Sequence, residues 1–232
     1  MERYFNTAGP NRAEFEYTLN PLSRFDLEDI LGYIAHGKCF VLHAPRQTGK
    51  TSYMLALRDY LNAYDDYISV YANVEGGQAS KNDVQSVVES TIDTLTREVI
   101  LVTKNESVNE IRNNVQDLGK DSMLAIFLSR LSETLDKPLV LILDGIDALV
   151  GGSLVSVLRQ LRAGYANRPK AFPQTVILCG VRDVRDYRIV LSNQVLVTGG
   201  SAFNIKAKSL PLVNFSKEDN NKKIIVWGRW TM

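Results

Sequence analysis

The sequence contains few cysteines, and the two present, Cys39 and Cys179, lie in separate apolar segments. Two such thiols do not provide the disulfide framework of a small secreted protein, so we expect both to be buried and reduced. The longest apolar segment, around Leu139 to Leu143, is far shorter than the ~18 residues of a membrane span. The N-terminal residues also lack the apolar segment of a secretory leader. These absences predict a cytoplasmic protein that does not bind the membrane.

The sequence also lacks a strong excess of charge of either sign. Its 27 Lys and Arg residues nearly balance 26 Asp and Glu residues, which leaves a net charge of +1. A protein whose main ligand is nucleic acid usually has a clear positive excess or a dense basic stripe. Nucleic acid is therefore unlikely as the primary ligand. The 45% hydrophobic content and the low net charge exclude intrinsic disorder as the main state.

Short apolar segments alternate with longer segments of helical periodicity. The predicted strands are 39–43, 67–74, 139–143 and 175–179, and the predicted helices are 22–36, 50–63, 81–102, 122–135 and 154–165. The polar, Asn-rich segment 103–120 is predicted to be a loop or a frayed helix. Strands that alternate with helices indicate a parallel sheet with helices on both faces. Ligands of such sheets bind at the carboxyl ends of the strands.

The first predicted strand continues into a segment that matches the phosphate-binding P-loop. The match is Ala44-x-x-x-x-Gly49-Lys50-Thr51, where alanine replaces the first glycine of the pattern. In this pattern, backbone N–H groups and a helix N-terminus surround a phosphate. Lys50 is suited to contact the β- and γ-phosphates, and the Thr51 hydroxyl to coordinate Mg²⁺. The predicted nucleotide-binding residues are Ala44, Pro45, Arg46, Gln47, Thr48, Gly49, Lys50, Thr51 and Ser52.

An acidic residue follows the most apolar predicted strand. Leu139 to Leu143 is followed by Asp144, which is the Walker B arrangement. The carboxylate then emerges at the end of a buried strand, where it can hold a Mg²⁺-bound water. Thr51 and Asp144 are therefore the predicted metal-binding residues. A simple helix cap is the alternative role for Asp144.

Two further residues are candidates for catalysis. An ATPase needs a group that orients or deprotonates the attacking water. Many P-loop ATPases have a glutamate directly after the Walker B aspartate, where this sequence has Gly145. Asp147 is the nearest acidic alternative, although it could also be a helix cap, and Glu75 is a weaker candidate. Arg182, which follows the fourth strand, is predicted to sense the γ-phosphate, and the alternative is a surface arginine paired with a neighbouring aspartate.

In combination, these motifs resemble a known family. The segments HAPRQTGKTS, LVLILDGIDAL and GVRD, together with RYFNTAGP and FNIKAKSLPLVNFSKED, look like bacterial AAA-like ATPase-domain proteins, P-loop NTPases close to the STAND and NACHT group. The resemblance covers roughly residues 3 to 219. It implies an α/β three-layer sandwich with a parallel sheet of order 5-1-4-3-2. It also implies Mg²⁺-ATP as ligand and nucleotide-dependent assembly, either as a homo-oligomer or with a protein partner.

The resemblance also divides the chain and leaves three functions open. We expect an N-terminal extension (1–21), an ATPase domain (22–219) and an atypical tail (220–232) that suggests truncation or a frameshift. The leading function is a nucleotide switch with weak or regulated ATP hydrolysis. Ala148 stands where the NACHT pattern has a glutamate, which favours a second possibility, a nucleotide-binding regulatory module that does not hydrolyse ATP. A small-molecule kinase is the third, because kinases use the same two motifs.

Overall fold

A computed structural model of the chain describes residue 4 and residues 14–76, 83–186, 188–190 and 196–213. The predicted tail 220–232 and much of the predicted extension 1–21 lie outside the described residues. The strands are β1 Cys39–His43, β2 Ile68–Asn73, β3 Leu139–Asp144, β4 Thr175–Gly180, β5 Arg188–Val190, β6 Leu196–Thr198 and β7 Lys206–Pro211. The helices are α1 Leu27–Ala35, α2 Lys50–Ala63, α3 Val84–Thr103, α4 Val108–Val115, α5 Met123–Thr134, α6 Gly151–Ala163 and α7 Gly199–Ala202.

Five of these strands form one parallel sheet. Their order is β2-β3-β4-β1-β7, and β5 and β6 form a separate antiparallel pair. With β7 counted as the fifth strand of the sheet, this is the order 5-1-4-3-2, so the predicted topology is confirmed. Within the part of the chain that the structure describes, no helix is both long and apolar enough to cross a membrane.

Helices cover both faces of the sheet. Phe40 and Leu42 of β1 pack with α1 and α2 on one face, whereas Cys39 and Val41 pack with α3, α5 and α6 on the other. This division follows from strand geometry, because successive side chains point to opposite faces. Both cysteines are buried and free, as predicted, and Cys179 faces the α1 and α2 side. The α/β three-layer arrangement is therefore confirmed.

The predicted helix 22–36 is divided into two parts. A 3₁₀-helix spans Pro21–Arg24, and α1 begins only after Asp26. The Asp26 carboxylate accepts hydrogen bonds from the N–H groups of Glu28 and Asp29, at 3.0 and 3.4 Å. An aspartate in this position satisfies free N–H groups of the first turn, so the chain restarts a helix there.

The prediction of a loop or a frayed helix for 103–120 is wrong over part of its length. Residues Val108–Val115 form the regular helix α4. Val108 and Val115 are buried in the core, and Ile111 packs against it. Positions separated by three and seven residues share one face of a helix. Only three apolar residues form this stripe, and the Asn-rich residues between them led to the prediction of a loop or a frayed helix.

A buried glutamine of α6 holds the start of α5. The side-chain oxygen of Gln160 accepts hydrogen bonds from the N–H groups of Leu124 and Ala125, at 2.8 and 3.3 Å. Its amide nitrogen donates to the Lys120 carbonyl and the Ser156 hydroxyl, at 2.8 and 3.0 Å. Gln160 thus takes the place of a helix cap and ties α6 to α5.

Candidate nucleotide-binding site

The predicted site residues lie at the carboxyl end of the sheet. β4 lies between β1 and β3, so the segments that follow these three strands meet along one edge. They begin with Ala44, Gly145 and Val181. Arg182 follows the fourth predicted strand, as expected, and this strand is β4.

The segment after β1 has the backbone shape of an anion-binding loop. Gln47 and Gly49 have positive φ angles of 61° and 80°. Left-handed residues that alternate with right-handed ones turn successive N–H groups toward one concave surface, which suits a phosphate. Ala44 does not have a positive φ, and its N–H donates to the Gly180 carbonyl at 3.2 Å. Alanine therefore fits where the P-loop pattern has its first glycine.

Side chains of this loop fold over its own backbone. The Lys50 ammonium group donates to the carbonyls of Ala44 and Pro45, both at 2.8 Å. The Thr48 hydroxyl donates to the Pro45 carbonyl at 2.8 Å. Arg46 is exposed, as are Pro45 and Gln47, and Ser52 is half-buried in the first turn of α2. The ammonium group of Lys50 therefore lies against the loop, at the N-terminus of α2.

The second motif joins the first through a direct hydrogen bond. The Thr51 hydroxyl donates to Oδ2 of Asp144 at 2.9 Å. The Tyr71 hydroxyl donates to the same oxygen at 2.9 Å, and the Gly145 N–H donates to Oδ1 at 2.9 Å. Asp144 is only 6% exposed, and a buried carboxylate needs such partners. The two predicted metal-binding residues are thus brought together.

The donor chemistry of this pair fits magnesium. Mg²⁺ prefers oxygen ligands and is commonly bound by one or two carboxylates together with substrate phosphates and water. Thr51 and Asp144 offer a hydroxyl and a carboxylate beside the phosphate loop. In the described residues, no cluster of three or more His, Cys, Asp or Glu could hold a metal ion. One hydroxyl and one carboxylate are few ligands for Mg²⁺, so this pair fits a metal ion that a bound phosphate helps to hold.

Burial and the charge of Asp144 affect its neighbours. Burial is the main cause that raises the pKa of Tyr71, and the negative charge of Asp144 raises it further. The same two causes, burial first, raise the pKa of the Cys179 thiol well above its usual value. Both groups therefore stay protonated at neutral pH. Tyr71 is a neutral donor to Asp144, and Cys179 is not a reactive thiolate.

Asp147 connects the second motif to the end of β4. It lies in a 3₁₀-turn, Ile146–Ala148, and its Oδ1 accepts the Val181 N–H at 3.2 Å. Arg182 follows directly and its side chain is exposed. Asp183 forms a buried ion pair with Lys206 of β7, at 2.6 Å. The roles predicted for Asp147 and Arg182 stay predictions, with both residues at the edge that holds the loop.

Two residues that sequence reasoning missed support the site. Tyr71 holds Asp144, and Arg24, which is 4% exposed, donates to the carbonyls of Thr48 and Val213, the latter at 2.7 Å. Burial lowers the pKa of Arg24. Tyr71 is on the predicted second strand, so its alignment with the strand of Asp144 could have indicated it. Arg24 forms contacts that no local pattern encodes.

Comparisons with known proteins found matches among solved structures. No protein-family model matches the chain, and no curated protein matches it. Cdc6p from Pyrobaculum aerophilum aligns at 18% identity with a TM-score of 0.46, over 85% of this chain and 45% of that chain. A chain of the Drosophila ORC structure with poly(dA/dT) DNA and Cdc6 aligns at 13% identity with a TM-score of 0.51, over 84% of this chain and 29% of that chain. The chain thus spans less than half the length of these structures.

The fold is that of an α/β P-loop NTPase. The five-stranded parallel sheet and its order carry this conclusion, and the Drosophila chain shares the fold. Relationship to the STAND and NACHT group stays a prediction, as does a bacterial origin. The Drosophila structure contains DNA, so the expectation that nucleic acid is unlikely as primary ligand is not confirmed.

Proposed function

We propose that the chain is an ATP-binding P-loop NTPase core that acts as a nucleotide switch with Mg²⁺-dependent, weak or regulated hydrolysis. The observation that supports this most directly is the 2.9 Å hydrogen bond between Thr51 and Asp144. It joins two motifs that are 93 residues apart in sequence. A Gly-Lys-Thr turn that occurred by chance would not be expected to contact a buried aspartate at the end of another strand.

Each part of the site has a defined role in this proposal. The loop N–H groups and Lys50 bind the phosphates, and Thr51 and Asp144 hold the metal. When bound, Mg²⁺ neutralises charge that develops on the β- and γ-phosphate oxygens. Arg182 senses the γ-phosphate. Asp147 accepts a hydrogen bond from the Val181 N–H and so fixes the segment that contains Arg182. The presence or absence of the γ-phosphate thereby changes the position of the segment that follows β4.

A second candidate is a regulatory module that binds nucleotide without hydrolysing it. Gly145 favours it, because this position offers no side chain to the attacking water. Ala148 favours it for the same reason. Nucleotide-dependent association with a second copy or with a partner protein belongs to both candidates. The third possibility, a small-molecule kinase, would be indicated by transfer of phosphate to an added acceptor instead of to water.

The proposal is tested by phosphate release and nucleotide binding, measured separately on the same chain. We expect ATP binding that requires Lys50, and slow phosphate release that EDTA abolishes. The variants are Lys50→Ala and Asp144→Asn. Lys38→Ala is the matched control, because Lys38 is exposed and directly precedes β1, at the opposite end of the sheet from the loop. Binding without release would support the regulatory module, and absence of binding would contradict the proposal.

A further inference from the structure

We propose that Glu75 supplies the carboxylate that deprotonates the attacking water, in place of the glutamate that is missing after Asp144. The inference rests on the proposed function. The observation behind it is the juxtaposition of Glu75 with Gly145, at the adjoining ends of β2 and β3.

The sheet register places these two residues side by side. β2 and β3 pair in parallel, and Asn73 stands opposite Asp144. The pairing continues one step further, because the Val74 N–H donates to the Asp144 carbonyl at 3.0 Å. The residue after Val74 is Glu75, which lies two positions beyond the end of β2 and beside the residue that follows Asp144. A carboxylate from the segment that follows β2 therefore lies at the carboxyl end of the sheet, beside the end of the second motif.

Glu75 occupies the space that a side chain at position 145 would fill. Gly145 has a φ of +76°, and a Cβ built on it would overlap the Cγ of Glu75. The Cδ of Glu75 would lie 3.2 Å from that Cβ, as would Oδ1 of Asn73. The absence of a side chain at position 145 thus makes room for the glutamate of the neighbouring strand. The chain thus has no acidic residue directly after β3, but it has one, Glu75, two positions after the end of β2.

The backbone before Glu75 is fixed, and its side chain is accessible. Oδ1 of Asn73 accepts the Glu75 N–H at 2.8 Å, an Asx-type turn that sets the direction of the chain. Glu75 itself is exposed. This exposure makes the carboxylate accessible to a water molecule.

Asp147, the alternative, is placed differently. Its Oδ1 accepts the Val181 N–H, so one of its oxygens is committed to the backbone at the end of β4. That contact suits a positioning residue for Arg182. Glu75, in contrast, lies next to Gly145, whose N–H holds Asp144. The geometry thus separates the two acids into a base and a positioning residue.

The step assigned to Glu75 is a proton transfer coupled to hydrolysis. The water oxygen attacks the γ-phosphorus, and a water proton passes to the Glu75 carboxylate. The bond between the γ-phosphorus and the bridging oxygen breaks, and that oxygen leaves with ADP. The products are ADP and inorganic phosphate, and Glu75 later releases its proton to solvent. The positioned base removes a proton that would otherwise hinder the attack.

The test compares Glu75→Gln, Glu75→Asp and Asp147→Asn with the wild-type chain, and Glu110→Gln serves as control. Glu110 is an exposed glutamate of α4. ATP affinity is measured by equilibrium dialysis, phosphate release is measured separately, and bound nucleotide is extracted and identified as ATP or ADP. Extraction of the bound nucleotide shows directly whether ATP has been hydrolysed in the site, without relying on the release of phosphate.

We expect Glu75→Gln to bind Mg²⁺-ATP within about twofold of wild type, because the substitution keeps the shape of the side chain. Phosphate release should fall about a hundredfold, the usual contribution of a general base, and the bound nucleotide should remain intact ATP. Glu75→Asp should restore part of the rate. The inference would be overturned if Glu75→Gln released phosphate as fast as the wild type. It would also be overturned if the wild-type chain bound ATP without hydrolysing it. Absence of ATP binding by the wild type would instead refute the proposed function.

Discussion

The Thr51 hydroxyl donates a 2.9 Å hydrogen bond to Asp144, although β4 separates the strands from which the two motifs start. The first turn of α2 therefore reaches over the end of β4 to meet the end of β3. This contact makes the loop and the buried carboxylate one site. Thr51 and Asp144 together would hold a metal ion beside the loop.

Substitution of Thr51 by alanine should remove the metal dependence of ATP binding. Thr51→Ala deletes one metal donor and frees Asp144, so the effect should be at least the roughly 10- to 100-fold loss of metal affinity that follows the loss of a supporting partner. Thr51→Ser, which keeps the hydroxyl, should behave like the wild type. The measurement is the ATP dissociation constant across a magnesium titration. An unchanged magnesium response in Thr51→Ala would show that Thr51 is not a metal donor.

Tyr71 should stabilise the fold through its bond to Asp144. Tyr71→Phe removes one donor to a buried carboxylate, which should cost about 1.5 kcal/mol in urea unfolding at neutral pH. Burial raises the pKa of Tyr71, so its stabilising contribution is complete below about pH 10, the pKa of an unfolded tyrosine. Above that pH the unfolded chain releases a proton that the folded chain keeps, so the difference between wild type and variant should shrink. A difference that grows there would contradict the assignment.

Gln160 should be a major determinant of stability despite its polar side chain. Gln160→Ala leaves the buried N–H of Leu124 without its partner and frees the Lys120 carbonyl. We expect a loss of about 2 kcal/mol in the free energy of unfolding. Gln116→Ala is the control, because an exposed glutamine should change stability by less than about 0.5 kcal/mol. Equal effects of the two substitutions would exclude a capping role.

The proximity of Glu75 and Gly145 can be measured without nucleotide. Gly145→Ala forces an alanine into positive φ, at about 1 kcal/mol, and also pushes its Cβ into the Glu75 side chain. In the Glu75→Ala background the second cost should disappear, which gives a coupling energy of about 1 kcal/mol in a double-mutant cycle. Urea unfolding of the four proteins provides the measurement. Strict additivity would mean that the two side chains do not share this space.

The elements with strong local signals were predicted well from the sequence. The predicted helix 50–63 matches Lys50–Ala63, and the predicted strand 39–43 matches Cys39–His43. Both have uninterrupted apolar patterns beside a distinctive loop. The sheet order came from the family resemblance, because periodicity does not specify which strands are neighbours. The prediction for segment 103–120 was wrong over Val108–Val115, because the apolar stripe of that helix is narrow and lies among polar residues.

The site was predictable only where the chemistry is local. The loop and Asp144 each have a motif, but their contact spans 93 residues. Arg24 acts through long-range hydrogen bonds that no local pattern reveals, and Tyr71 could be indicated only by aligning its strand with that of Asp144. Glu75 could be ranked above Asp147 only once the pairing of β2 with β3 had placed it beside Gly145. Tertiary geometry, and not residue type, distinguishes these candidates.

Equilibrium dialysis of ATP with magnesium, on the wild-type chain and on Lys50→Ala, tests nucleotide binding most directly. Lys38→Ala is the control for the loss of one positive charge. We predict saturable binding by the wild type and by Lys38→Ala, and at least a tenfold weaker affinity for Lys50→Ala, roughly 1.4 kcal/mol. Absence of binding by the wild type, or equal binding by all three proteins, would contradict the assignment of this loop as a nucleotide site.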